Sequence, residues 1–256
     1  MKIAIILFPG INCEIETKLA VEKVGMKADI VRWNINPKLL ESYDGYIIPG
    51  GFSYEDRIRA GVISAKEPVM NKIKQESEKG KVVLGICNGA QVLVESGIIP
   101  GIKDRVEMAL APNINPKVSG YYCTWVNIKN CSEKNVFDLC IEKNILRMPI
   151  AHGEGRFTTT DKRLVEELIE NGQIAFRYCN EKGDVIDSFP FNPNKSIYNI
   201  AALCNKKGNV MAIMPHPERA FFKRQIPGFR GNFQEGLEGG DGKLIFESIK
   251  KYLEEK

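Results

Sequence analysis

Short apolar runs alternate with amphipathic stretches through the first hundred residues of this 256-residue chain, and this alternation constrains the fold most strongly. The apolar runs predict strands at residues 3–8, 28–33, 45–49 and 81–86. The amphipathic stretches predict helices at residues 14–24, 67–78 and 88–96. Because each predicted strand is hydrophobic almost throughout, we expect helices to cover both faces of the sheet. This pattern is typical of an α/β fold built on a parallel sheet.

The second half of the chain has a different pattern, in which short strands are joined by polar turns. We expect strands at residues 121–128, 157–160, 174–178 and 197–203, a hairpin in which residues 199–204 pair with residues 210–214, and a last helix at residues 243–254. No linker, internal repeat or low-complexity tract separates the halves. The sequence therefore predicts one domain over residues 1–256, with a flavodoxin-like, open and mostly parallel sheet, helices on both faces and a partly antiparallel C-terminal half.

Charge and composition exclude several classes of function. The 36 basic and 32 acidic residues are mixed along the chain and leave a net charge of +4, so nothing indicates a nucleic-acid partner. No apolar stretch approaches the roughly 20 residues of a membrane-spanning helix, and the first apolar run is too short for a signal peptide. The seven cysteines are odd in number, and none forms a pair at metal-binding spacing. We therefore expect a cytoplasmic protein with reduced thiols, no membrane contact and no metal site.

The segment Gly85-Ile86-Cys87-Asn88-Gly89 lies between a predicted buried strand and a predicted helix. This is the arrangement of a nucleophile elbow, in which flanking glycines let the chain turn sharply. At the helix N-terminus, free amides and the helix dipole favour a thiolate, the form that attacks carbonyl groups. We predict that Cys87 is a nucleophile rather than a buried structural thiol, and that the Asn88 amide faces the oxyanion. Cys13 also follows a predicted strand but has no flanking glycine, so we interpret it as structural or close to the site.

A cysteine hydrolase needs a general base, and the chain contains two histidines, His152 and His216. His216 lies in Met214-Pro215-His216-Pro217-Glu218, directly after a predicted strand. Pro217 favours extended backbone at His216, so Glu218 can lie on the same side of the chain and orient the imidazole. We predict that Cys87, His216 and Glu218 form a catalytic triad. His152 lies in a glycine-rich segment that is typical of a binding or gating loop, and an ordinary surface histidine is the alternative.

The sequence Gly50-Gly51-Phe52 follows the third predicted strand. In sheets of this kind, ligands bind at the carboxyl ends of the strands. A glycine pair lets a backbone amide approach a developing oxyanion, so we expect Gly51 to complete an oxyanion hole with the amide of Asn88. Two glycines after a strand usually form only a turn, and it is the expected position beside the elbow that favours the functional interpretation.

Taken together, these segments resemble the class I, triad-type glutamine amidotransferases. The likeness covers essentially the whole chain and is carried by residues 49–53, by residues 85–91 (Gly-Ile-Cys-Asn-Gly-Ala-Gln) and by residues 215–220 (Pro-His-Pro-Glu-Arg-Ala). Within that family, Phe8-Pro9-Gly10 and Ala151-His152-Gly153-Glu154-Gly155 are typical of the glutaminase subunits of phosphoribosylformylglycinamidine synthases. The chain departs from many relatives after Tyr54, where Glu55 stands in place of a glycine.

The resemblance implies a glutaminase that hydrolyses L-glutamine through a thioester on Cys87 and supplies ammonia to a synthetase of de novo purine biosynthesis. It also implies that Gln91, Gly50 and Phe52 bind glutamine. The implied partners are a larger synthetase subunit and a small accessory subunit, which the loop with His152 and Glu154 would contact. Since the chain has no phosphate loop and no dinucleotide fingerprint, we expect no cofactor in it, and expect ATP and magnesium in the larger subunit.

Three alternatives remain open from the sequence. A glutaminase of this type could serve another synthetase, because ammonia is the same product for all of them. A stand-alone cysteine hydrolase of the intracellular peptidase or deglycase type is the second, although those peptidases commonly carry histidine where this chain has Asn88. The third is a regulatory subunit without activity, against which the complete set of Cys87, His216 and Glu218 argues.

Overall fold

The helices and strands follow the order that the hydrophobic pattern predicts, in a computed structural model that describes residues 1–103, 105–132 and 134–256. The described strands are β1 (Lys2–Leu7), β2 (Lys27–Arg32), β3 (Gly45–Ile48), β4 (Val82–Ile86), β5 (Ala109–Ala111), β6 (Tyr122–Asn130), β7 (Ile145–His152), β8 (Arg156–Thr158), β9 (Ile174–Cys179), β10 (Ile200–Cys204) and β11 (Val210–Ile213). The described α-helices are α1 (Glu14–Lys23), α2 (Pro68–Glu78), α3 (Asn88–Glu95), α4 (Lys162–Glu170), α5 (Phe233–Gly236) and α6 (Lys243–Glu254).

Nine of these strands form one sheet in the order β2-β1-β3-β4-β11-β10-β9-β6-β7. The strands from β2 to β11 in that order are parallel to one another. From β11 to β7, each strand pairs antiparallel with the next. The predicted hairpin consists of β10 and β11, in which Leu203 pairs with Ala212. The topology confirms the α/β fold with a parallel sheet and an antiparallel C-terminal half.

The strand order also determines where the helices lie. The connection from β1 through α1 to β2 runs in one direction along the sheet, and the connection from β3 through α2 to β4 runs in the other. Because crossovers between parallel strands are right-handed, α1 and α2 cover opposite faces. Helix α6 packs beside α1, and α3 packs against β3, β4 and β11. The order reverses between β1 and β3, and in such sheets ligands bind at the carboxyl ends of the strands near that point.

The strands at the centre of the sheet are completely buried. Every residue of β3, β4, β10 and β11 is buried, as near-continuous hydrophobicity predicts for strands that are covered on both faces. Helix α3 is also buried along its whole length. Among the described residues, no helix is both long enough and apolar enough to cross a membrane.

Four described elements, the short β5 and α5 together with β7 and α4, are not predicted from the sequence. Strand β7 contains Pro149, which argues against a central strand, but β7 forms an edge of the sheet, where a missing amide is tolerated. Helix α4 buries only Leu164 and Leu168, so its apolar stripe is narrow. The strand predicted at residues 157–160 exists as β8, but it pairs with β5 in a separate two-stranded sheet.

Gly89 lies where α3 crosses the end of β3. An added Cβ would lie 1.9 Å from the carbonyl oxygen of Ile48, so helix and strand would have to separate to accept Gly89→Ala. We expect this substitution to lower the free energy of unfolding by about 2 kcal/mol or more, measured by urea denaturation. As a control, Gly153→Ala places its methyl group 3.9 Å from the nearest atoms and should change that free energy by less than about 0.5 kcal/mol. Equal effects of the two substitutions would contradict the close approach of α3 to β3.

Candidate active site

Cys87 lies at the tight turn between β4 and α3, where the elbow pattern predicts it. Its backbone has φ 50° and ψ −102°, a region that residues with a side chain rarely adopt and that is typical of functional sites. Its amide donates a hydrogen bond to the carbonyl oxygen of Ile213 at 2.8 Å, which ties the turn to β11. A Cβ at Gly85 would lie 2.5 Å from the carbonyl oxygen of Gly89. The flanking glycines are therefore required by the packing of α3 against the sheet.

His216 follows β11, the strand beside β4, and lines the same cavity as Cys87. Its Nδ1 lies 2.6 Å from Oε1 of Glu218, and both side chains are buried. Burial lowers the pKa of His216, but the Glu218 carboxylate and then the Cys87 sulfur outweigh it and hold this pKa well above its ordinary value. With the Nδ1 proton shared with Glu218, Nε2 is the atom that can exchange a proton with a substrate. The structure thus brings together the three residues of the predicted triad.

The cavity beside Cys87 has two adjoining lobes, whose shared walls are Gly51, Phe52, Cys87, Tyr121 and Ala151. The first, which we call the histidine lobe, has a volume of about 200 Å³ and is completed by Asn12, Cys13, His216 and Arg219. The second, which we call the acidic lobe, has a volume of about 190 Å³ and is completed by Asp56, Gln91, His152, Gly153 and Glu154. A ligand bound in either lobe therefore reaches Cys87.

Gly50 and Gly51, the glycine pair after β3, lie next to His216 and Cys87. The carbonyl oxygen of Gly50 accepts hydrogen bonds from the amides of Asn12 and Cys13 at 3.3 and 3.1 Å, which joins this turn to the segment after β1. A Cβ at Gly50 would lie 2.7 Å from Cε1 of His216, so the imidazole packs directly on this residue. Gly51 lies in the wall of both lobes, beside Cys87. The predicted oxyanion role of Gly51 is compatible with this position and stays a prediction.

Asn88 connects the elbow to the loops around it. It is the first residue of α3, where backbone amides have no acceptor within the helix and can bind an anion. Its Oδ1 accepts from the Ser53 amide at 3.1 Å, and its Nδ2 donates to Oε1 of Gln91 at 2.8 Å and to Oδ1 of Asp56 at 3.2 Å. Gln91 in turn donates to the carbonyl oxygen of Glu154 at 2.6 Å. Gln91 therefore lines the cavity and also holds its wall in place.

The rings of Phe52 and Tyr121 flank the mouth of the cavity. Their centroids lie 6.0 Å apart, and the two residues are 42% and 50% exposed. Phe52 is one of the predicted substrate-binding residues, whereas Tyr121 is missed by the sequence analysis. Tyr121 directly precedes β6, and nothing in the sequence pattern places this strand end beside Cys87.

His152 is not a surface residue. It is the last residue of β7 and is only 3% exposed. Its Nδ1 lies 3.1 Å from Oδ1 of Asn113, and its ring packs so tightly on Gly155 that a Cβ there would lie 2.1 Å from Cε1. The surface interpretation of His152 is therefore wrong, and its buried ring lacks the exposure that contact with a partner protein requires. Glu154 is partly buried, and its Oε2 accepts from the Ala60 amide at 3.1 Å.

Cys13 and Arg219 line the histidine lobe, so Cys13 lies close to the site, as one of its two sequence interpretations states. Nη2 of Arg219 donates to Sγ of Cys13 at 3.1 Å. In the described part of the chain, Cys13, His216 and Glu218 are the one group compact enough to hold a metal ion, with ligand atoms within 4.8 Å of one another. In the sequence, the feature that predicts this location is that Cys13 follows the first predicted strand, because the carboxyl ends of parallel strands share one edge of the sheet.

The buried imidazole of His152 makes stability depend on pH. Burial, and then the positive charge of His216, lower the pKa of His152 from 6.5 to about 3. Between these values the unfolded chain binds a proton at His152 that the folded chain does not bind, so this contribution to stability is present above pH 6.5 and is lost as the pH falls. Between pH 7 and pH 5, the free energy of unfolding should fall by about 2 kcal/mol less in the His152→Gln variant than in the unmodified chain. Urea denaturation at both pH values measures this, and parallel losses would contradict a neutral buried His152.

Comparison with known proteins agrees with this geometry. Residues 1–253 match the family described as the CobB/CobQ-like glutamine amidotransferase domain. Subunit PurQ of phosphoribosylformylglycinamidine synthase from Methanothrix thermoacetophila is 47% identical, with 100% of this chain and 99% of that protein covered. The corresponding subunit from Pyrococcus horikoshii is 39% identical, with 99% of each protein covered.

The chain is also similar to chains in solved structures. A chain in the structure of PurLQS from Thermotoga maritima is 32% identical and superposes with a TM-score of 0.75 over 98% of each chain. A Thermotoga maritima protein described as a glutamine amidotransferase shares the fold, at 17% identity and a TM-score of 0.50 over 99% of this chain and 92% of that one. The chain described here therefore belongs to the glutamine amidotransferase family whose members include the PurQ subunits of phosphoribosylformylglycinamidine synthase.

Proposed function

We propose that this chain is the glutaminase subunit of a phosphoribosylformylglycinamidine synthase and acts as one domain over residues 1–256. The observation that carries the proposal is the strained Cys87 elbow beside the His216–Glu218 pair, in a chain that is 47% identical to a PurQ subunit over its full length. L-glutamine is the substrate, and glutamate and ammonia are the products.

In the first half of the reaction, the Cys87 thiolate attacks the side-chain amide carbon of glutamine. The amide oxygen becomes an oxyanion that accepts hydrogen bonds from the backbone amides of Gly51 and Asn88. His216 then donates the Nε2 proton to the leaving nitrogen, the carbon–nitrogen bond breaks, and ammonia departs. The raised pKa of His216 supports this step, because it keeps a proton on the imidazole for the leaving group.

In the second half, water attacks the thioester that joins Cys87 to the glutamyl group. Neutral His216 accepts a proton from this water, the carbon–sulfur bond breaks, and glutamate leaves with the thiolate restored. Glu218 holds the Nδ1 side of the ring throughout and stabilises the imidazolium, as its 2.6 Å contact supports. Phe52 and Gln91 line the cavity that holds the substrate, and Gly50 packs against the His216 imidazole beside it.

The ammonia is used by a larger synthetase subunit in de novo purine biosynthesis, in the cytoplasm, and a small accessory subunit completes the complex. ATP and magnesium bind to the larger subunit and not to this chain. The resemblance to a chain of PurLQS, whose name joins three components, supports such an assembly. Because His152 is buried, Glu154 is the more accessible residue of its loop for contact with these partners.

Substitution of the nucleophile separates ammonia production from its use. In the reconstituted complex, Cys87→Ala should lower glutamine-dependent amidine formation at least about a thousand-fold while activity with added ammonium chloride remains. Cys131→Ala removes an exposed thiol far from the cavity and should leave both activities unchanged. Glutamine use that survives in Cys87→Ala would overturn the assignment. Full glutaminase activity of the chain without its partners would instead favour a stand-alone hydrolase.

The packing of His216 on Gly50 gives a second test. Gly50→Ala places a Cβ 2.7 Å from Cε1 of His216 and 3.3 Å from Sγ of Cys13, so the imidazole must move. Since a displacement of about 1 Å in a catalytic group can cost about 100-fold in rate, we expect a loss of that size in glutamine-dependent kcat. Activity with added ammonia and the circular dichroism spectrum should not change. An unaltered kcat would show that the imidazole can adjust without cost.

A further inference from the structure

Cys13, His216 and Glu218 form a buried cluster beside the histidine lobe, which Cys13 and His216 line. A sulfur, a nitrogen and an oxygen atom of these residues all lie within 4.8 Å of one another, and none of the three residues is more than 3% exposed. Spacing along the chain does not reveal the cluster, because Cys13 follows β1 whereas the other two residues follow β11. The proposed reaction uses His216 and Glu218 but gives no role to Cys13.

Two atoms of the cluster are buried without a hydrogen-bond partner. Among the described residues, no group pairs with Nε2 of His216 or with Oε2 of Glu218. The proposed reaction accounts for Nε2, which exchanges a proton with the substrate, but it leaves Oε2 of Glu218 unexplained. A buried polar atom of this kind is commonly satisfied by an ion or a water. The cluster therefore has the capacity to bind a further ligand.

The three side chains have the chemistry that Zn²⁺ prefers. Zinc binds Cys sulfur, His nitrogen and carboxylate oxygen at about 2.0–2.3 Å, and sites with three protein ligands keep a fourth position for water. The histidine lobe has a volume of about 200 Å³ and offers space for that water. A Cys13 thiolate and the Glu218 carboxylate together carry two negative charges, which balance a divalent cation.

Arg219 contacts Cys13, so its positive charge must be considered. Its Nη2 lies 3.1 Å from Sγ of Cys13 and 3.1 Å from Oε1 of Glu16, and its Nε lies 3.8 Å from Oε1 of Glu218. A hydrogen bond from a guanidinium to the sulfur favours the thiolate, the form that binds metal. Because this side chain is 44% exposed and already paired with Glu16, it can turn toward Glu16 and solvent when a cation enters the cluster.

We propose that Cys13, His216 and Glu218 form an inhibitory site for a thiophilic divalent cation such as Zn²⁺. A Cβ at Gly50 would lie 3.3 Å from both Nδ1 of His216 and Sγ of Cys13, so these two atoms face the same space. The cation replaces the proton that Nδ1 shares with Oε1 of Glu218 at 2.6 Å, and the Cys13 thiol releases its proton to solvent. Nδ1 and Oε1 must move apart by about 0.7 Å to reach tetrahedral separation.

The bound cation holds the imidazole and the carboxylate as ligands, so the triad can no longer exchange protons and ammonia release stops. Binding of the cation does not depend on the proposed glutaminase function, whereas inhibition rests on it. The two are therefore tested separately.

The binding test uses the full chain with Cys87→Ala, in which the catalytic sulfur cannot act as a ligand. Calorimetric titration measures Zn²⁺ affinity, and Co²⁺ as a spectroscopic substitute should give a sulfur-to-metal charge-transfer band. Loss of even an outer-shell partner costs about 10- to 100-fold in metal affinity, so adding Cys13→Ser should weaken Zn²⁺ binding at least about 100-fold and remove the band. Cys131→Ala, the matched control, removes an exposed thiol outside the lobe and should change neither.

Glu218→Gln in the same Cys87→Ala chain tests the carboxylate. A neutral amide does not supply the negative charge, so Zn²⁺ binding should weaken at least about ten-fold. The circular dichroism spectrum of each variant should match that of the Cys87→Ala chain. Zn²⁺ binding that is unchanged by Cys13→Ser, or a Cys87→Ala chain that binds no Zn²⁺, would overturn the inference.

Inhibition is measured in the reconstituted complex. Zn²⁺ should stop glutamine-dependent amidine formation, a zinc-selective chelator should restore it, and activity with added ammonium chloride is the control for the synthetase. Relative to its own metal-free rate, Cys13→Ser should need at least about ten-fold more Zn²⁺ for half-inhibition. Equal sensitivity of Cys13→Ser and the unmodified chain would overturn the inference and leave the glutaminase function intact. A metal-free complex that releases no ammonia from glutamine would overturn the proposed function, whereas the binding test would still decide the site.

Discussion

The parallel alignment of β1, β3, β4 and β11 is the constraint on which the candidate site depends. The register places Ile48 beside Gly85 and Ile86 beside Ile213, so these strands end at the same edge of the sheet. The glycine pair, the Cys87 elbow and the His216 segment follow the last three of these strands directly. They meet because the sheet brings them together, with little dependence on the conformation of long loops.

Close backbone packing around the elbow has a chemical consequence. Helix α3 approaches β3 so closely that Gly89 has no space for a side chain, and this approach holds Cys87 in its strained conformation at the helix N-terminus. Strain of this kind persists only where the surrounding structure maintains it. Here the complete burial of α3 and of the two strands beneath it supplies that support.

The two histidines show how neighbours decide the charge of a buried group. Both are 3% exposed, so burial lowers the pKa of each. His216 faces the Glu218 carboxylate and has a raised pKa, whereas His152 faces the neutral amide of Asn113 and has a pKa of about 3. One imidazole is therefore suited to exchange protons and the other to accept a hydrogen bond. The two lobes of the cavity also differ in charge, since Arg219 lines the histidine lobe and two carboxylates line the acidic lobe.

Features that depend only on neighbouring residues are encoded locally in the amino-acid sequence. Strand–helix alternation, the glycines around Cys87 and the two-residue spacing of His216 and Glu218 are local, so the parallel half of the sheet and the triad geometry could be predicted. Strand β7 could not be predicted, because only its position at the sheet edge explains why a strand tolerates Pro149. The acidic lobe could not be predicted: Asp56 follows β3, Gln91 belongs to α3, and His152 and Glu154 lie together at the end of β7, so their meeting depends on packing that no local pattern encodes.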